Sequence, residues 1–406
     1  MDKYIEQIRS CFPFLRASGG KPVVYFDSAA TSQKPEAVID FVKDSMVEAN
    51  ANVHRAVYGL AEMSTLRYEA GREAARNLLG AEERCETVLT SGTTASINLL
   101  AMSLGELLLK SGDVILLSEG EHHSNIVPWQ MAAARKDAVV RYFPINPDGS
   151  WNMEEAERIL SEGKVRIVSA AHISNVLGIV NPVRRLAETA HRYGALVHLD
   201  GAQGIVHQKV DVKQLQCDFY SFSGHKLYAL TGSGILYGRK ELMDKMPPVF
   251  GGGEMVDTVT YQSTTYAESP LKFEAGTPNF IAAASLAPAI EFVNSIRNDQ
   301  VHENEQKMID YLMYELQNIE GLRIYGTAAP KAPVISFTVE GAHHSDIATL
   351  LGKMGFALRS GLLCSEPLIN KFGQTGVVRI SLAPYNTMEE CEAFIPALHR
   401  ILKMLR

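Results

Sequence analysis

Two hydrophobic rhythms alternate along the chain. Short apolar runs rich in Val, Ile and Leu recur from residue 87 to 238, separated by longer stretches with helical period. The runs are ETVLT (86–90), DVILLS (113–118), VVRYFPI (139–145), VRIVSAA (165–171), ALVHLD (195–200), DFYSFS (218–223) and GILYG (234–238). Near-continuous apolar strands between helices imply a mostly parallel sheet covered on both faces, seven strands wide by this reading. The clearest intervening helices are 94–110 and 181–194; in the second, Pro182 suits the first turn and Gly194 the stop.

Outside this α/β block the pattern changes. Residues 13–35 carry no period and read as a mobile opening segment. Residues 57–79 are helical, with Leu60, Met63, Leu66, Ala70, Ala74 and Leu78 at three- and four-residue intervals. Residues 249–280, rich in Gly, Thr and Ser, read as a long functional excursion. Residues 281–319 are helical again. From 321 the order is strand (LRIYG), strand (VISFTVE), helix (SDIATLLGKM), loop, strand (VVRISLA) and a last helix from Thr387. The expected organisation is a segment 1–25 joined to a small domain, a large domain 26–285, and a small α+β domain 286–406.

Composition narrows the function classes. With 406 residues, 46% hydrophobic and 21% charged, the chain is an ordinary globular protein with room for two or three domains. A net charge of −7 argues against nucleic acid or an anionic membrane as the main partner. The longest mostly apolar stretch, 280–293, falls short of the ~20 residues a membrane span needs. The start, MDKYIEQIRS, has no apolar leader core, so the expectation is a cytoplasmic protein. Five scattered cysteines without a CxxC fit a reducing compartment and no thiolate metal site.

Candidate chemistry gathers where strands end, the edge at which open α/β sheets bind ligands. The first run is followed by Ser91-Gly92-Thr93-Thr94, the second by Glu119-Gly120-Glu121-His122-His123. Then come His172-Ile173-Ser174-Asn175, Asp200-Gly201-Ala202-Gln203 and Ser223-Gly224-His225-Lys226. A Gly-Thr-Thr turn opening a helix offers N–H groups and hydroxyls to a phosphate, or is a plain N-cap. Asp200, ending an apolar strand, wants a cation: a ligand's, or a protein partner's. Lys226 is a shielded amine of lowered pKa, or a surface lysine. His122 can stack on a planar ring; His123, pointing elsewhere, reads as structural. Two adjacent histidines without further ligands make a poor metal site, and none is expected. Together, phosphate cradle, carboxylate, amine and imidazole suit pyridoxal phosphate. The Gly232-Ser233-Gly234 stretch mimics a dinucleotide fingerprint, but the ILYG that follows reads as strand, not helix.

HLDGAQ, FYSFSGHKLY, TSGTTASIN and EHHSNIVPW resemble the motifs of the class V aminotransferase superfamily. More closely, the chain is similar to the group II (SUF-type) cysteine desulfurases, from FDSAATSQKP to LAPYNT. The resemblance implies a fold type I, homodimeric, pyridoxal-phosphate enzyme that takes sulfur from L-cysteine and leaves L-alanine. It also implies a role in iron–sulfur cluster assembly, a sulfur-acceptor protein as partner, and L-selenocysteine as a further substrate of a selenocysteine lyase activity.

By the same resemblance Lys226 bonds the cofactor, Asp200 meets its ring nitrogen, Gln203 its ring hydroxyl, and His122 its face. Thr93, Thr94, Ser223 and His225 bind the phosphate, with Thr277 reaching in from the other subunit. Asn175 and Arg379 hold the substrate carboxylate with Arg359 nearby, and His54 and Arg55 line the partner's site. Cys364, in LRSGLLCSEPL, takes the sulfur as a persulfide after Lys226 removes the Cα proton. Three places depart from the family pattern: Leu362-Leu363 before the cysteine, Ala229-Leu230 after the lysine turn, and Ala95 after the Thr-Thr pair. Two other readings stand beside this one. The first is another class V enzyme, namely a C–S lyase, a kynureninase-like hydrolase or an aminotransferase. The second is a non-catalytic sulfur-handling scaffold.

Overall fold

The computed structural model describes residues 3–16 and 23–406. The seven runs form one sheet: β1 (Thr87–Thr90), β2 (Val114–Ser118), β3 (Val139–Phe143), β4 (Val165–Ala171), β5 (Leu196–Asp200), β6 (Phe219–Ser223) and β7 (Gly234–Gly238). The spatial order is β1-β7-β6-β5-β4-β2-β3, and β7 alone runs against its neighbours. The C-terminal ends of β1, β2, β4, β5 and β6 therefore share one edge.

Alternation along each strand divides the apolar side chains between two cores. Ile115, Leu117, Ile167, Phe219 and Leu236 face one way, packing with α2 (Thr93–Leu108) and α3 (Val127–Lys136). Leu116, Val168, Val197, Leu199, Tyr220 and Phe222 face the other, where α4 (Met153–Ser161) and α5 (Val183–Arg192) pack. Pro182 and Gly194 flank α5 as the sequence implies, with Gly194 at φ +77°. Residues 281–319 break into the short helix Phe280–Ala284, α6 (Leu286–Ile296) and α7 (Asp299–Gln317). Leu286, Ile290 and Val293 of α6 belong to the large core, so its packing runs past residue 285.

The smaller unit is a four-stranded antiparallel sheet of β8 (Leu322–Tyr325), β9 (Val334–Val339), β10 (Arg359–Gly361) and β11 (Val377–Ser381), ordered β8-β9-β11-β10. α7, α8 (His344–Lys353) and α9 (Met388–Leu405) cover it; Thr387 caps α9 in a reciprocal box with Glu390. No helix among the described residues is long and apolar enough to cross a membrane.

Two expectations are corrected. The opening segment is fixed from residue 24 onward: Val24–Tyr25 pairs in parallel with Phe356–Ala357, and Phe26 is buried in the small core. Residues 17–22 of that segment lie outside the described residues. In the helix now seen as α1 (Gly59–Leu79) the apolar stripe faces the core only at its far end: Leu60 is 42% exposed, Met63 43% and Leu66 65%, whereas Ala74 and Leu78 pack against the large core. The buried face is Ala61, Ser64, Tyr68, Gly71, Arg72, Ala75 and Leu79. At Gly71 only glycine fits, because α1 crosses Phe280–Ala284 closely there: a Cβ on Gly71 would meet the Ala283 carbonyl oxygen, with no room to spare. The 249–280 excursion is a surface hairpin (Val256–Val259, Thr264–Tyr266) followed by a single turn at Leu271–Phe273.

Candidate active site

A cavity of about 250 Å³ opens at the shared strand edge, with the small unit forming its opposite wall. The large unit supplies Thr93, Thr94, His122, Asn175, Asp200, Gln203, Ser223, His225 and Lys226, and the small unit adds Arg359, Cys364 and Arg379. Those of the large unit sit at strand ends or in the turns that follow them, and Arg359 and Arg379 sit on β10 and β11, so the two sheets bring together residues scattered over almost three hundred positions.

At the β1 end, Gly92 adopts φ +146°, ψ 174°, a conformation for glycine, and α2 starts immediately after it. The Thr93 N–H donates to Ser223 Oγ at 2.8 Å, and the two hydroxyls lie 2.8 Å apart. Thr94 Oγ1 pairs with Ser124 Oγ at 2.7 Å. Hydroxyls and the first N–H groups of a sixteen-residue helix thus line one end of the cavity, a place for a phosphate.

Asp200 closes β5 and is buried; its carboxylate accepts the Ala202 N–H at 2.9 Å. Burial raises its pKa, opposed by that N–H and by Lys226. A carboxylate so placed favours a cationic neighbour such as a protonated ring nitrogen. Gln203 donates its amide to the Ala29 carbonyl at 2.8 Å. Lys226 ends the Gly224–Lys226 turn, and burial lowers its amine to about 8, with Asp200 acting the other way. The turn is tied down from outside: the His225 carbonyl accepts from Lys34 Nζ at 2.7 Å and from the Ser32 N–H at 3.2 Å. His225 Nδ1 lies 3.2 Å from Thr31 Oγ1, and burial lowers its pKa to about 4. His122 is lowered to about 3, by burial first and Lys226 second, and its Nδ1 accepts the Ser124 N–H at 3.0 Å. It is a neutral ring with its free proton on Nε2.

The opposite wall carries the cationic forks. Arg359 and Arg379 face each other on β10 and β11. Arg379, almost wholly buried, gives Nη1 to the Asn175 carbonyl at 3.1 Å and Nη2 to Asp27 Oδ1 at 3.0 Å. Its Nε is buried and finds no acceptor among the described residues. Arg359, half exposed, clasps the same Asp27 carboxylate at 3.0–3.2 Å. Cys364 is exposed beside them; it and Leu363 adopt φ +54° and +52°. Two consecutive non-glycine residues in that region store about 1–2 kcal/mol each, which the surroundings must offset. Leu363 is buried in the large core and Leu362 packs partly against it.

Thr277, His54 and Arg55 lie outside this cavity. Thr277 is exposed, while His54 and Arg55 meet Glu254, with His54 also 3.2 Å from Glu69. Asp27 escaped the sequence reading because it sits in a segment without period, though an acid just before the SAAT run was a visible signal. Ser124 lies next to the singled-out His123, and its contacts with Thr94 at 2.7 Å and with His122 Nδ1 at 3.0 Å bring it to the site.

Pyridoxal phosphate fits this donor set: hydroxyls and helix N–H groups for the phosphate, a buried carboxylate for the ring nitrogen, an amine for the aldehyde. The orphaned Arg379 Nε leaves a donor for the carboxylate of an amino-acid substrate.

Comparison with known proteins agrees. The chain is 43% identical to a probable cysteine desulfurase of Vibrio cholerae over 402 residues, 99% of each chain. It is 42% identical to a cysteine desulfurase of Cronobacter sakazakii over 404 residues, again 99% of each. Among solved structures it superposes on the Escherichia coli cysteine desulfurase CsdA with a TM-score of 0.91 at 38% identity, covering 99% of both chains. The cysteine desulfurase of Thermococcus onnurineus gives 0.93 at 34% identity over 98% of both. The class-V aminotransferase family model matches residues 24–394, and the chain belongs to that family.

Proposed function

We infer that this protein is a pyridoxal-phosphate-dependent cysteine desulfurase, converting L-cysteine to L-alanine and receiving the sulfur on Cys364. The observation that carries the reading is one cavity holding the Lys226 amine, the Cys364 thiol and the buried Arg379 fork. When bound, pyridoxal phosphate supplies an electron sink for negative charge at the substrate Cα.

The chain's own residues do the rest. Arg379 and Asn175 hold the substrate carboxylate, and Arg359, exposed enough to swing, closes on it from the mouth. Thr93, Thr94, Ser223 and His225 bind phosphate, Asp200 the ring nitrogen, Gln203 the ring hydroxyl, and neutral His122 covers the ring face. With a pKa of about 8, roughly a tenth of the Lys226 amine is free base at pH 7; it takes the Cα proton. The Cys364 thiolate attacks the substrate sulfur: an S–S bond forms and the substrate C–S bond breaks. Its electron pair stays with the carbon skeleton, which is protonated and leaves as alanine. The balance is cysteine plus thiol to alanine plus persulfide.

The protein acts as a homodimer in this reading. The outward stripe of Leu60, Met63 and Leu66 supplies an interface, and Thr277, His54 and Arg55, displaced from their own cavity, complete the partner's site. The persulfide passes to an acceptor protein for iron–sulfur cluster assembly in the cytoplasm, and L-selenocysteine is a second substrate. Free thiols at all five cysteines suit that reducing setting.

Incubation with L-cysteine, with alanine quantified and Cys364 examined by intact mass, tests the reading. Alanine in step with a 32-Da gain on Cys364 (one sulfur, about 32 Da) is expected. Pyruvate, or wild-type alanine production by Cys364→Ala, would overturn it in favour of another class V activity.

A further inference from the structure

His122 and His123 are neighbours in sequence but serve opposite walls. His122 faces the cavity. His123 turns away from it and reaches the loop of the small unit that bears the thiol. Its backbone N–H donates to the Cys364 carbonyl at 2.7 Å, and its ring Nε2 accepts the Glu366 N–H at 3.0 Å. The two bonds bracket Ser365, one on each side. Accepting at Nε2 requires a lone pair there, so the ring is the neutral tautomer protonated at Nδ1.

Such ties offset a cost in the loop, because Leu363 and Cys364 both hold positive φ, a region uncommon for residues with a Cβ. A third tie comes from Asn175, whose Nδ2 donates to the Leu363 carbonyl at 2.9 Å. Behind His123 the anchorage continues into the sheet. The turn His123–Asn125 is pinned by Asn125, which donates to Glu121 Oε2 at 2.7 Å and accepts from Trp129 Nε1 at 3.1 Å and Ser169 Oγ at 2.5 Å. Glu121 accepts the Ala171 N–H at 3.0 Å, and Ser169 and Ala171 belong to β4. Hydrogen bonds thus fix the His123–Asn125 turn to the sheet through Asn125, and the same turn, through His123, holds the backbone of Cys364.

We propose that His123 is the positioning residue for the nucleophile. The His122–His123 pair, one ring over the cofactor site and the other locked to the cysteine loop, sets the distance between the reacting substrate and the Cys364 sulfur. The proposal rests on the persulfide role of Cys364. Replacing the ring leaves the backbone bond to Cys364 but releases Glu366, and the thiol is no longer held within attacking distance.

The test compares holoenzyme variants His123→Ala and His123→Gln, whose Oε1 reaches where Nε2 lies. His123→Ala is expected to lower kcat for alanine about 10- to 100-fold, the range for misplacing a reacting group by about an ångström. KM stays within about twofold, because substrate binding is untouched. In a single turnover, persulfide mass on Cys364 accumulates more slowly by the same factor, while the visible spectral change on adding L-cysteine keeps its wild-type rate. His123→Gln recovers kcat to within about threefold. If His123→Ala does not accumulate folded, His123→Asn, too short to reach Glu366, carries the same expectation. A kcat within about twofold of wild type, a KM rising in step with the loss of kcat, or no rescue by Gln would overturn the proposal. Cys364→Ser separates the two failures. If it still makes alanine at the wild-type rate, the persulfide reading itself falls and takes this proposal with it. If it is inactive while His123→Ala is fast, only the role of His123 falls.

Discussion

Arg359 and Arg379 stand directly opposite each other on adjacent antiparallel strands and share one carboxylate, that of Asp27. The sharing is unequal. The Arg379 side chain is 4% exposed and keeps an unused Nε; that of Arg359 is 50% exposed and clasps Asp27 through two nitrogens. An ion pair in water is worth little, whereas a buried charge-assisted bond is worth about 1.5–3 kcal/mol. Arg379→Lys, which loses the planar fork, is therefore expected to raise KM for L-cysteine about 10- to 100-fold. Arg359→Lys should raise it only about threefold. Steady-state kinetics on the two variants checks the order, and an equal or reversed effect would contradict it.

Lys226 gives a prediction in pH. Its folded pKa of about 8 lies below the ordinary lysine value because burial penalises the ammonium form. Below pH 8 the amine is mostly protonated and unreactive; above it, mostly free base. Covalent capture of added pyridoxal phosphate by cofactor-free protein should therefore quicken about tenfold per pH unit below pH 8 and level off above it. Stopped-flow absorbance follows the reaction, with Lys226→Ala as the silent control. A plateau reached only above pH 10 would mean that the amine is not shielded.

Gly71 lies in the middle of α1, where Gly→Ala ordinarily stabilises a helix by about 1 kcal/mol. Here the added methyl would run into the Ala283 carbonyl oxygen of the crossing helix, a backbone atom that cannot turn aside. Overpacking of this kind costs about 1–3 kcal/mol and outweighs the propensity gain. Gly71→Ala should lower Tm, whereas an exposed helical control such as Gly352→Ala, with open space around its Cβ position, should not. Thermal melts of the two side by side decide it.

How much of this was legible beforehand depended on the range of the interactions. The strand ends could be read because an apolar strand stopping at Asp200 or Ser223 is a local pattern, and a parallel sheet converts local patterns into one edge. The fork-bearing strand β10 could not, because three residues, Arg359–Gly361, are too few to show a period. His123 read as structural, and the structure gives that word content in two hydrogen bonds to a loop about 240 residues away, which no local pattern encodes. Asp27 was hidden for the same reason: its partners, Arg359 and Arg379, lie more than 330 residues on. The α1 stripe shows the reverse failure. Its period was real, but period identifies an apolar face without saying whether the chain's own core or a second copy covers it.

That last point is open to experiment. Leu60, Met63 and Leu66 project from one side of α1, and Thr277, expected to serve a partner's phosphate, is exposed. In a two-fold dimer each side chain is buried twice, once per protomer. Covering a leucine side chain contributes about 1.5–3 kcal/mol, so Leu66→Glu removes about 3–6 kcal/mol across the pair, before the cost of burying two carboxylates. The dimer dissociation constant should rise at least about 10²- to 10⁴-fold. Sedimentation velocity at micromolar concentration is expected to give a dimer for the wild type and a monomer for Leu66→Glu. Desulfurase activity should fall with the dimer fraction and return as the variant is concentrated. A monomeric wild type with full activity would remove both the interface and the role assigned to Thr277.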